Sequence, residues 1–350
     1  MYVTMSPVVR SRVSRIQQSA FYHMIQRVQR YSNTMDEPQP SIVVVIPAYR
    51  VASLIAEVIT RIPPEVGHII VVDDASPDNL QEILQKIPDP RLIVLCHKEN
   101  RGVGGAMKTG FTKALELDAD IIVKIDGDGQ MDPQLIPQFV VPIIADHADL
   151  TKGNRFANLS FIRQIPLTRR LGNVALSFLV KMASGYWHVL DPCNGYIAIR
   201  ASLLHGMAFD RLEERYFFEI SLLCEAYFAQ AVVEDISMLP VYGHETSSLN
   251  PLGMIKDFAP RLIWRSMYRV FMSYFLRDFN VVSLFFVTGM PALGFGVLWS
   301  VYHWVQSFRS QTLASTGTVM IGVLAIVLGF QLLLQALALD VANEPGRPRR

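Results

Sequence analysis

The sequence predicts an α/β domain built on a mainly parallel sheet, followed by a helical hairpin that crosses a membrane. Three observations predict it. From residue 41 onward, β-branched apolar runs alternate with helical stretches of the length that joins parallel strands. Aspartates follow the second and fourth of those runs. Two long stretches near the carboxyl end carry no charge at all.

The first strand is "SIVVVIPAY", a continuous run of the kind buried on both faces. A helical stretch up to "RIPPE" leads to a second strand, "HIIVVDDAS". "PDNLQEILQKI" is a helix, "RLIVLCH" a third strand, and "GAMKTGFTKALEL" a helix before the fourth strand, "DIIVKIDGDG". Ligands of such sheets bind beyond the carboxyl ends of the strands. The acids stand there: Asp73 and Asp74 after the second strand, Asp126 and Asp128 after the fourth.

"DGDGQMDP" admits three chemistries. An EF-hand loop requires Gly at its sixth position and Glu at its twelfth; counted from Asp126 these are Met131 and Pro137, which excludes it. A plain turn would use Gly127 and Gly129. A metal clamp would use Asp126 and Asp128 as hard oxygen ligands for Mg²⁺ or Mn²⁺ on a diphosphate, with Gln130 adding a neutral oxygen. A turn has no need of two acids where an apolar strand leaves the sheet, yet spacing alone keeps turn and clamp open. "GVGGAMKT", residues 102–109, has Lys108 and Thr109 where a P-loop needs them, but Met107 replaces the glycine before the lysine. What survives is a glycine-rich loop opening a helix, serving a phosphate or close packing.

The chain of 350 residues is 51% apolar and 18% charged, greasier than an average soluble protein and long enough for one large domain or two modest ones. No Asp, Glu, Lys or Arg occurs from Asn280 to Phe308 or from Ser310 to Leu339, and each run exceeds the ~20 residues that cross a hydrocarbon core. The short link "SFRSQT" makes a hairpin with both ends on one side. Arginines in "RLIWRSMYRVFMSYFLRDF" and the closing "RPRR", against Arg309 alone in the link, place domain and tail in the cytoplasm, at an inner or plasma membrane. The expected organisation is a basic extension over 1–40, the α/β domain over 41–250, interfacial helices over 251–278, two transmembrane helices over 279–340 and a cytoplasmic tail over 341–350.

In the interfacial segment Arg261, Arg265 and Arg269 share one helical face, expected to meet anionic headgroups. The extension carries Arg10, Arg12, Arg15, Arg27 and Arg30 without an apolar signal core, and fits a surface helix or an unordered arm. Cys96, Cys193 and Cys224 have no metal spacing and suit a reducing compartment. A net charge of +1 without a basic aromatic patch gives no sign of a nucleic-acid partner.

"VVIPAY", "IIVVDDASPD", "NRGVGGAMKTG" and "KIDGDGQMDP", in this order and spacing, resemble the family 2 glycosyltransferases of the Rossmann-like GT-A fold. "KGNRF", "DPCNGYIAIR" and "RYFFEISLL", followed by the two-helix tail, resemble one branch, the polyprenyl-phosphate glycosyltransferases related to dolichyl-phosphate mannose synthase. The resemblance implies a nucleotide-sugar donor, GDP- or UDP-linked, a polyprenyl phosphate acceptor at the bilayer, and transfer with inversion. It implies that Pro47, Ala48 and Tyr49 line the nucleoside pocket with Asp73 or Asp74, and that Lys108 and Asp126 belong to the donor site. Asp126, Asp128 and Gln130 would hold Mg²⁺ or Mn²⁺ on the diphosphate, with Asp128 among the catalytic groups. The family usually has Asn and Glu where this chain has Arg50 and Val51, so whatever that Glu does for the donor is done otherwise here.

A hydroxyl acceptor needs a general base, whereas a lipid phosphate is already an anion and needs cations to position it. Arginine grips phosphate with a two-pronged fork, and "KGNRF" supplies Arg155 while "FIRQIPLTRR" supplies Arg163, Arg169 and Arg170. The resemblance implies that Arg155 and Arg169 or Arg170 face the lipid phosphate; Arg163 reads as a solvated residue. Asp191 in "LDPCNGY" matches an acceptor-side acid that either orients the site or caps the turn. "YGHETSSLNP", with Gly243 as a hinge, is either a loop at the acceptor entrance or an ordinary linker. A polysaccharide synthase acting on a saccharide hydroxyl would carry a Gln-x-x-Arg-Trp motif after the catalytic core, and none occurs. An inactive membrane scaffold would have no need of the acids at 73, 74, 126 and 128. A two-helix hairpin is short for a self-sufficient membrane domain, which leaves room for a homo-oligomer.

Overall fold

The computed structural model describes residues 40–156, 167–215, 217–238 and 251–346, with the backbone alone at 167–171, 173 and 251–257. The basic extension, Arg163, Gly243 with most of its loop, and the closing "RPRR" lie outside the described residues.

Strands and helices alternate as the apolar runs predict: β1 (Ile42–Ala48), α1 (Ile55–Thr60), β2 (His68–Asp73), α2 (Leu80–Leu84), β3 (Leu92–Cys96), α3 (Gly102–Glu116) and β4 (Ile121–Lys124). Then come α4 (Ile136–Ile144), β5 (Leu150–Asn154), α5 (Leu167–Ser184), β6 (Ile197–Arg200), α6 (Ala201–His205), α7 (Phe218–Phe228) and β7 (Val233–Ser237). The strands form one sheet in the order β3-β2-β1-β4-β6-β5-β7. Pairing is parallel except for β6, which runs antiparallel to both β4 and β5. The sheet grows from β1 towards β2 on one side and β4 on the other, so β1 and β4 flank a topological switch point, where a crevice opens at the strand ends.

Continuous β-branched runs are explained by burial on both faces. Val43, Val45, Ile70, Val72 and Ile122 pack with Phe111 of α3 and Phe218 of α7. Val44, Ile46, Ile69, Val71 and Val123 pack with Ile55 and Ile59 of α1 and Phe139 of α4. Two helical layers therefore sandwich the sheet, the Rossmann-like arrangement expected of the GT-A class.

Beyond the domain come α8 (Pro251–Phe271), a π-helical turn (Met272–Arg277), α9 (Val281–Ser310) and α10 (Thr316–Ala342). The last two are long and apolar enough to cross a bilayer. Their large side chains, Leu298, Trp304 and Phe308 among them, point outwards and stay exposed, as a lipid-facing surface requires. The seam between them is lined with small residues a heptad apart. Gly289 and Gly296 of α9 meet Gly329 and Gly322 of α10, and a Cβ on Gly296 would stand 2.7 Å from the Ile326 nitrogen.

One expectation is corrected. Of the three arginines on that face of α8, Arg265 and Arg269 turn into the protein rather than towards headgroups, while Arg261 stays exposed. Arg269 is 2% exposed and paired with Asp340 of α10, and Arg265 reaches Glu213 at 3.3 Å and Glu225 at 3.9 Å. Ile263, Trp264, Met267 and Phe271 form the outward face. Buried guanidinium groups are tolerated once carboxylates arrive from other elements, and the spacing of arginines along one helix carries no sign of those partners.

Gly296→Leu is expected to lower the stability of the hairpin by about 1–3 kcal/mol through overpacking, read as an earlier unfolding midpoint in detergent. Gly294→Leu serves as the control, because a Cβ there meets nothing within 4 Å.

Candidate active site

Five strands deliver their ends to one edge of the sheet. β1, β2, β4 and β5 point their carboxyl ends there, and β6, running the other way, begins there. Lys124 of β4 and Lys152 of β5 both stand beside Ile197 of β6, so the segments after Lys124, after Lys152 and before Ile197 converge.

On the β1–β2 side the two aspartates are divided in their duties. Asp73 is buried, accepts from the Ser76 backbone N–H at 2.8 Å, and accepts from Gln81 Nε2 at 2.9 Å. Asp74 is buried too, with Oδ1 against His97 Nδ1 at 2.7 Å and the Arg101 N–H at 2.9 Å, and Oδ2 against the Gly102 N–H at 2.7 Å. Those last two donors belong to the amino end of α3, where a carboxylate is favoured by both the unsatisfied N–H groups and the helix dipole. Asp74 thus caps α3 from outside the helix.

The glycine-rich loop serves close packing. The Gly105 N–H donates to the Glu214 carbonyl at 3.0 Å, and side chains on Gly104 or Gly110 would collide with the 213–214 backbone or with Val45. Lys108 lines a cleft of about 1040 Å³ with Glu213, Glu214, Arg261 and Arg265, and neither Asp126 nor Asp128 belongs to that cleft. Pro47 and Ala48 close β1, and the half-exposed Tyr49 follows, its ring 5.3 Å from the Arg50 guanidinium carbon. Arg50 adopts a left-handed backbone (φ 58°) and donates its N–H to Ser76 Oγ at 2.7 Å.

The turn after β4 rests on a buried ammonium. Lys124, 1% exposed, donates to Asp126 Oδ1 at 2.6 Å and to the Gly195 carbonyl at 3.1 Å, and lies 3.3 Å from Glu219 of α7. Burial pushes this ammonium down, but Asp126 and Glu219 outweigh it and leave Lys124 above its usual range. Gly195 is required here, since a Cβ would stand 2.7 Å from Asp126 Oδ2. Asp128 Oδ1 accepts from the Gln130 N–H at 3.0 Å, and the Gln130 side chain is exposed.

These residues fit a divalent cation. Two carboxylates plus substrate phosphates and water are the ordinary ligands of Mg²⁺, and the room kept at Gly195 leaves Asp126 Oδ2 uncrowded. Among the described residues no cluster of three or more His, Cys, Asp or Glu side chains could hold a metal alone. The remaining ligands would therefore come from the donor diphosphate and water.

Arg155 and Asp191, expected on the acceptor side, meet as a pair. Asp191, 2% exposed, accepts from Arg155 Nε at 2.7 Å, from Arg155 Nη2 at 3.1 Å and from Asn194 Nδ2 at 3.3 Å. The sequence leaves Asp191 between orienting and capping, and the structure shows both of its carboxylate oxygens engaged by Arg155. Arg169 and Arg170 fall in the first turn of α5, where the backbone alone is described.

Sequence reasoning missed Lys124, Lys152, Glu219, His97, Asn194 and Gly195. A signal existed for two of them: a lysine interrupts "IIVK" and another "LTKGN", each inside a buried strand. Lys152 is wholly buried and donates to the Asn194 carbonyl. Burial pushes its ammonium down to about 8, with Glu219 and Asp191 offsetting only part. The two lysines titrate in opposite directions because Lys124 touches carboxylates and Lys152 touches a carbonyl.

Between pH 8 and the unfolded-state value of about 10.4, the unfolded chain holds a proton at Lys152 that the folded chain has released, so native stability rises with pH there. The difference in melting temperature between Lys152→Met and wild type is expected to be largest at pH 7 in the variant's favour and to narrow by pH 9.5. Arg50→Asn is expected to raise stability by about 1 kcal/mol, since Asn adopts the left-handed region more readily, measured by denaturant unfolding.

Comparison with known proteins identifies the family. The family model described as glycosyl transferase family 2 matches residues 43–207. The UDP-N-acetylglucosamine–dolichyl-phosphate N-acetylglucosaminyltransferase of Methanococcus voltae is 34% identical over 190 residues, 50% of this chain and 75% of that protein. The undecaprenyl-phosphate mannosyltransferase of Micrococcus luteus is 28% identical over 186 residues, 52% of this chain and 75% of that protein. Among solved structures, glucosyl-3-phosphoglycerate synthase from Mycobacterium tuberculosis, in complex with Mn²⁺, uridine diphosphate and phosphoglyceric acid, is 21% identical with a TM-score of 0.49, covering 66% of this chain and 78% of that one. The extent and identity of the match to the Methanococcus voltae protein, together with the family model, establish that the chain belongs to glycosyl transferase family 2.

Proposed function

We propose that the chain moves one sugar from a nucleotide-sugar donor to a polyprenyl phosphate, with inversion and with a divalent cation, at the cytoplasmic face of a membrane it spans twice. The observation that carries this reading is the meeting of the Asp126–Gln130 turn with the Arg155–Asp191 pair at one sheet edge, in a domain joined to two apolar helices. The named relatives, which act on dolichyl and undecaprenyl phosphates, support the acceptor class.

Each residue has a task in that reaction. Pro47, Ala48, Tyr49 and Asp73 border the nucleoside side of the crevice, and Asp126 and Asp128 face the diphosphate. A bound Mg²⁺ or Mn²⁺ would neutralise the leaving diphosphate. Lys124 holds Asp126 Oδ1 and fixes the direction of its carboxylate. Arg155, steered by Asp191, holds the lipid phosphate, with Arg169 and Arg170 its proposed companions. An acceptor phosphate oxygen then attacks the anomeric carbon, forming the new carbon–oxygen bond as the bond to the diphosphate breaks on the opposite side. No proton needs to be removed from such an acceptor. That suits Asp191, whose oxygens are engaged by Arg155 and Asn194 rather than placed as a base.

Purified protein in detergent would be given undecaprenyl phosphate and a panel of radiolabelled UDP- and GDP-sugars, with Mn²⁺, Mg²⁺ or EDTA. Label is expected in the lipid phase with one donor and a metal, absent with EDTA, and reduced about a hundredfold or more in Asp128→Ala. No lipid product from any donor would overturn the acceptor assignment.

A further inference from the structure

The membrane hairpin ends in an acid that reaches back to the acceptor side of the catalytic domain. Asp340, near the end of α10, is the first charged residue after Arg309. It is 5% exposed and takes four donors: Arg269 Nη1 and Nη2 at 2.8 Å each, the Tyr274 hydroxyl at 2.6 Å, and Trp187 Nε1 at 3.2 Å. Arg269 in turn donates through Nε to the Met182 carbonyl of α5 at 2.9 Å and stacks 5.0 Å from the Tyr227 ring of α7. Gly185, with φ 77°, starts the following loop, and a Cβ there would run into Tyr227 and stand 3.2 Å from Arg269 Nη1.

A second contact lies one turn further along the chain. Glu344 pairs with His188 Nδ1, while His188 Nε2 faces the Val233 carbonyl at 3.1 Å. Both ring nitrogens therefore meet acceptors, an arrangement that fits the protonated ring. The Leu190 N–H donates to Asp235 Oδ2 at 2.9 Å, and the next residue is Asp191, which grips Arg155. Residues 187, 188 and 190 are thus each tied down within one short loop that ends at the acceptor-side acid.

We infer that Asp340 and Glu344, at the end of the membrane hairpin, position the 185–191 loop and through it the Asp191–Arg155 pair that receives the acceptor phosphate. The inference deepens the lipid-phosphate reading and rests on it. A buried carboxylate requires all its donors in place, so the span cannot change its depth relative to this loop without leaving a charge unpaired. Asp340 is a positioning residue: it touches no reacting atom, and it fixes where Arg155 stands relative to the end of the hydrocarbon span. Trp187 is the one donor on Asp340 that belongs to the loop itself, which makes it the cleanest point to cut.

The test uses the full-length chain in phosphatidylcholine vesicles with undecaprenyl phosphate. Trp187→Phe removes the loop's N–H and leaves a smaller aromatic ring in its place; Asp340→Asn weakens the whole joint, and Asp340→Glu keeps the charge. The KM for undecaprenyl phosphate is expected to rise about threefold in Trp187→Phe and about tenfold in Asp340→Asn, with partial recovery in Asp340→Glu. Affinity for UDP or GDP, whichever the wild type binds, is expected to stay unchanged. An unchanged acceptor KM in both Trp187→Phe and Asp340→Asn, or an equal loss of nucleotide affinity, would overturn the inference. If the wild type transfers no sugar to lipid, the acceptor reading fails by itself, and amide hydrogen exchange then decides the joint. Exchange across 185–191 that quickens about tenfold in Trp187→Phe supports it, and unchanged exchange rejects it.

Discussion

Two ammonium groups buried in one row of the sheet set the terms for everything at its carboxyl edge. Lys124 and Lys152 flank Ile197 across β4, β6 and β5, and both are essentially without solvent. A buried charge is costly unless it is paired or fully hydrogen-bonded. The chain meets that demand with groups from separate segments: Asp126 from the turn after β4, Glu219 from α7, and the Asn194 and Gly195 carbonyls from the turn before β6. Satisfying the lysines therefore draws together the same turns that carry the chemistry. Gly195 has to be glycine because the ammonium and the carboxylate it brings together leave no volume for a methyl group.

The parallel half of the fold was legible in the sequence because each of its signals is local. Continuous β-branched runs mark β1, β2 and β4 as strands buried on both faces, and β3, at the sheet edge, falls where the third run lies. Asp126 and Asp128 were legible for a similar reason, since an acid at the end of an apolar strand has little local purpose. The partners of those groups were not. Glu219 reaches Lys124 across 95 residues of chain, His97 reaches Asp74 across 23, and neither spacing follows a helical or strand period. That Asp74 rather than Asp73 caps α3 was likewise hidden, because it depends on where the amino end of α3 comes to rest.

The misreading of α8 has the same origin. Arginines four residues apart define a face, and nothing in that spacing shows which carboxylates of other segments come to meet it. The acids come from Glu213, Glu225 and Asp340, on three other segments. With Arg265 and Arg269 turned inwards, Ile263, Trp264, Met267 and Phe271 are left exposed beside Arg261. A bilayer contact through that surface would draw on apolar area and on Trp264 as well as on the exposed Arg261.

This inversion bears on how a membrane enzyme fixes the height of its site. Exposed cations drawn to headgroups are screened over about 8 Å at physiological salt, so an attachment built from them would loosen with ionic strength and lipid composition. Arg269 and Asp340 are shielded from that screening by burial, and their geometry is set by four hydrogen bonds to one carboxylate rather than by a diffuse field. A polyprenyl phosphate offers its charge at a depth set by the bilayer, and the transferase has to hold its arginines at that depth. On the inference drawn above, a buried joint between the last turn of α10 and the loop before Asp191 would hold them there.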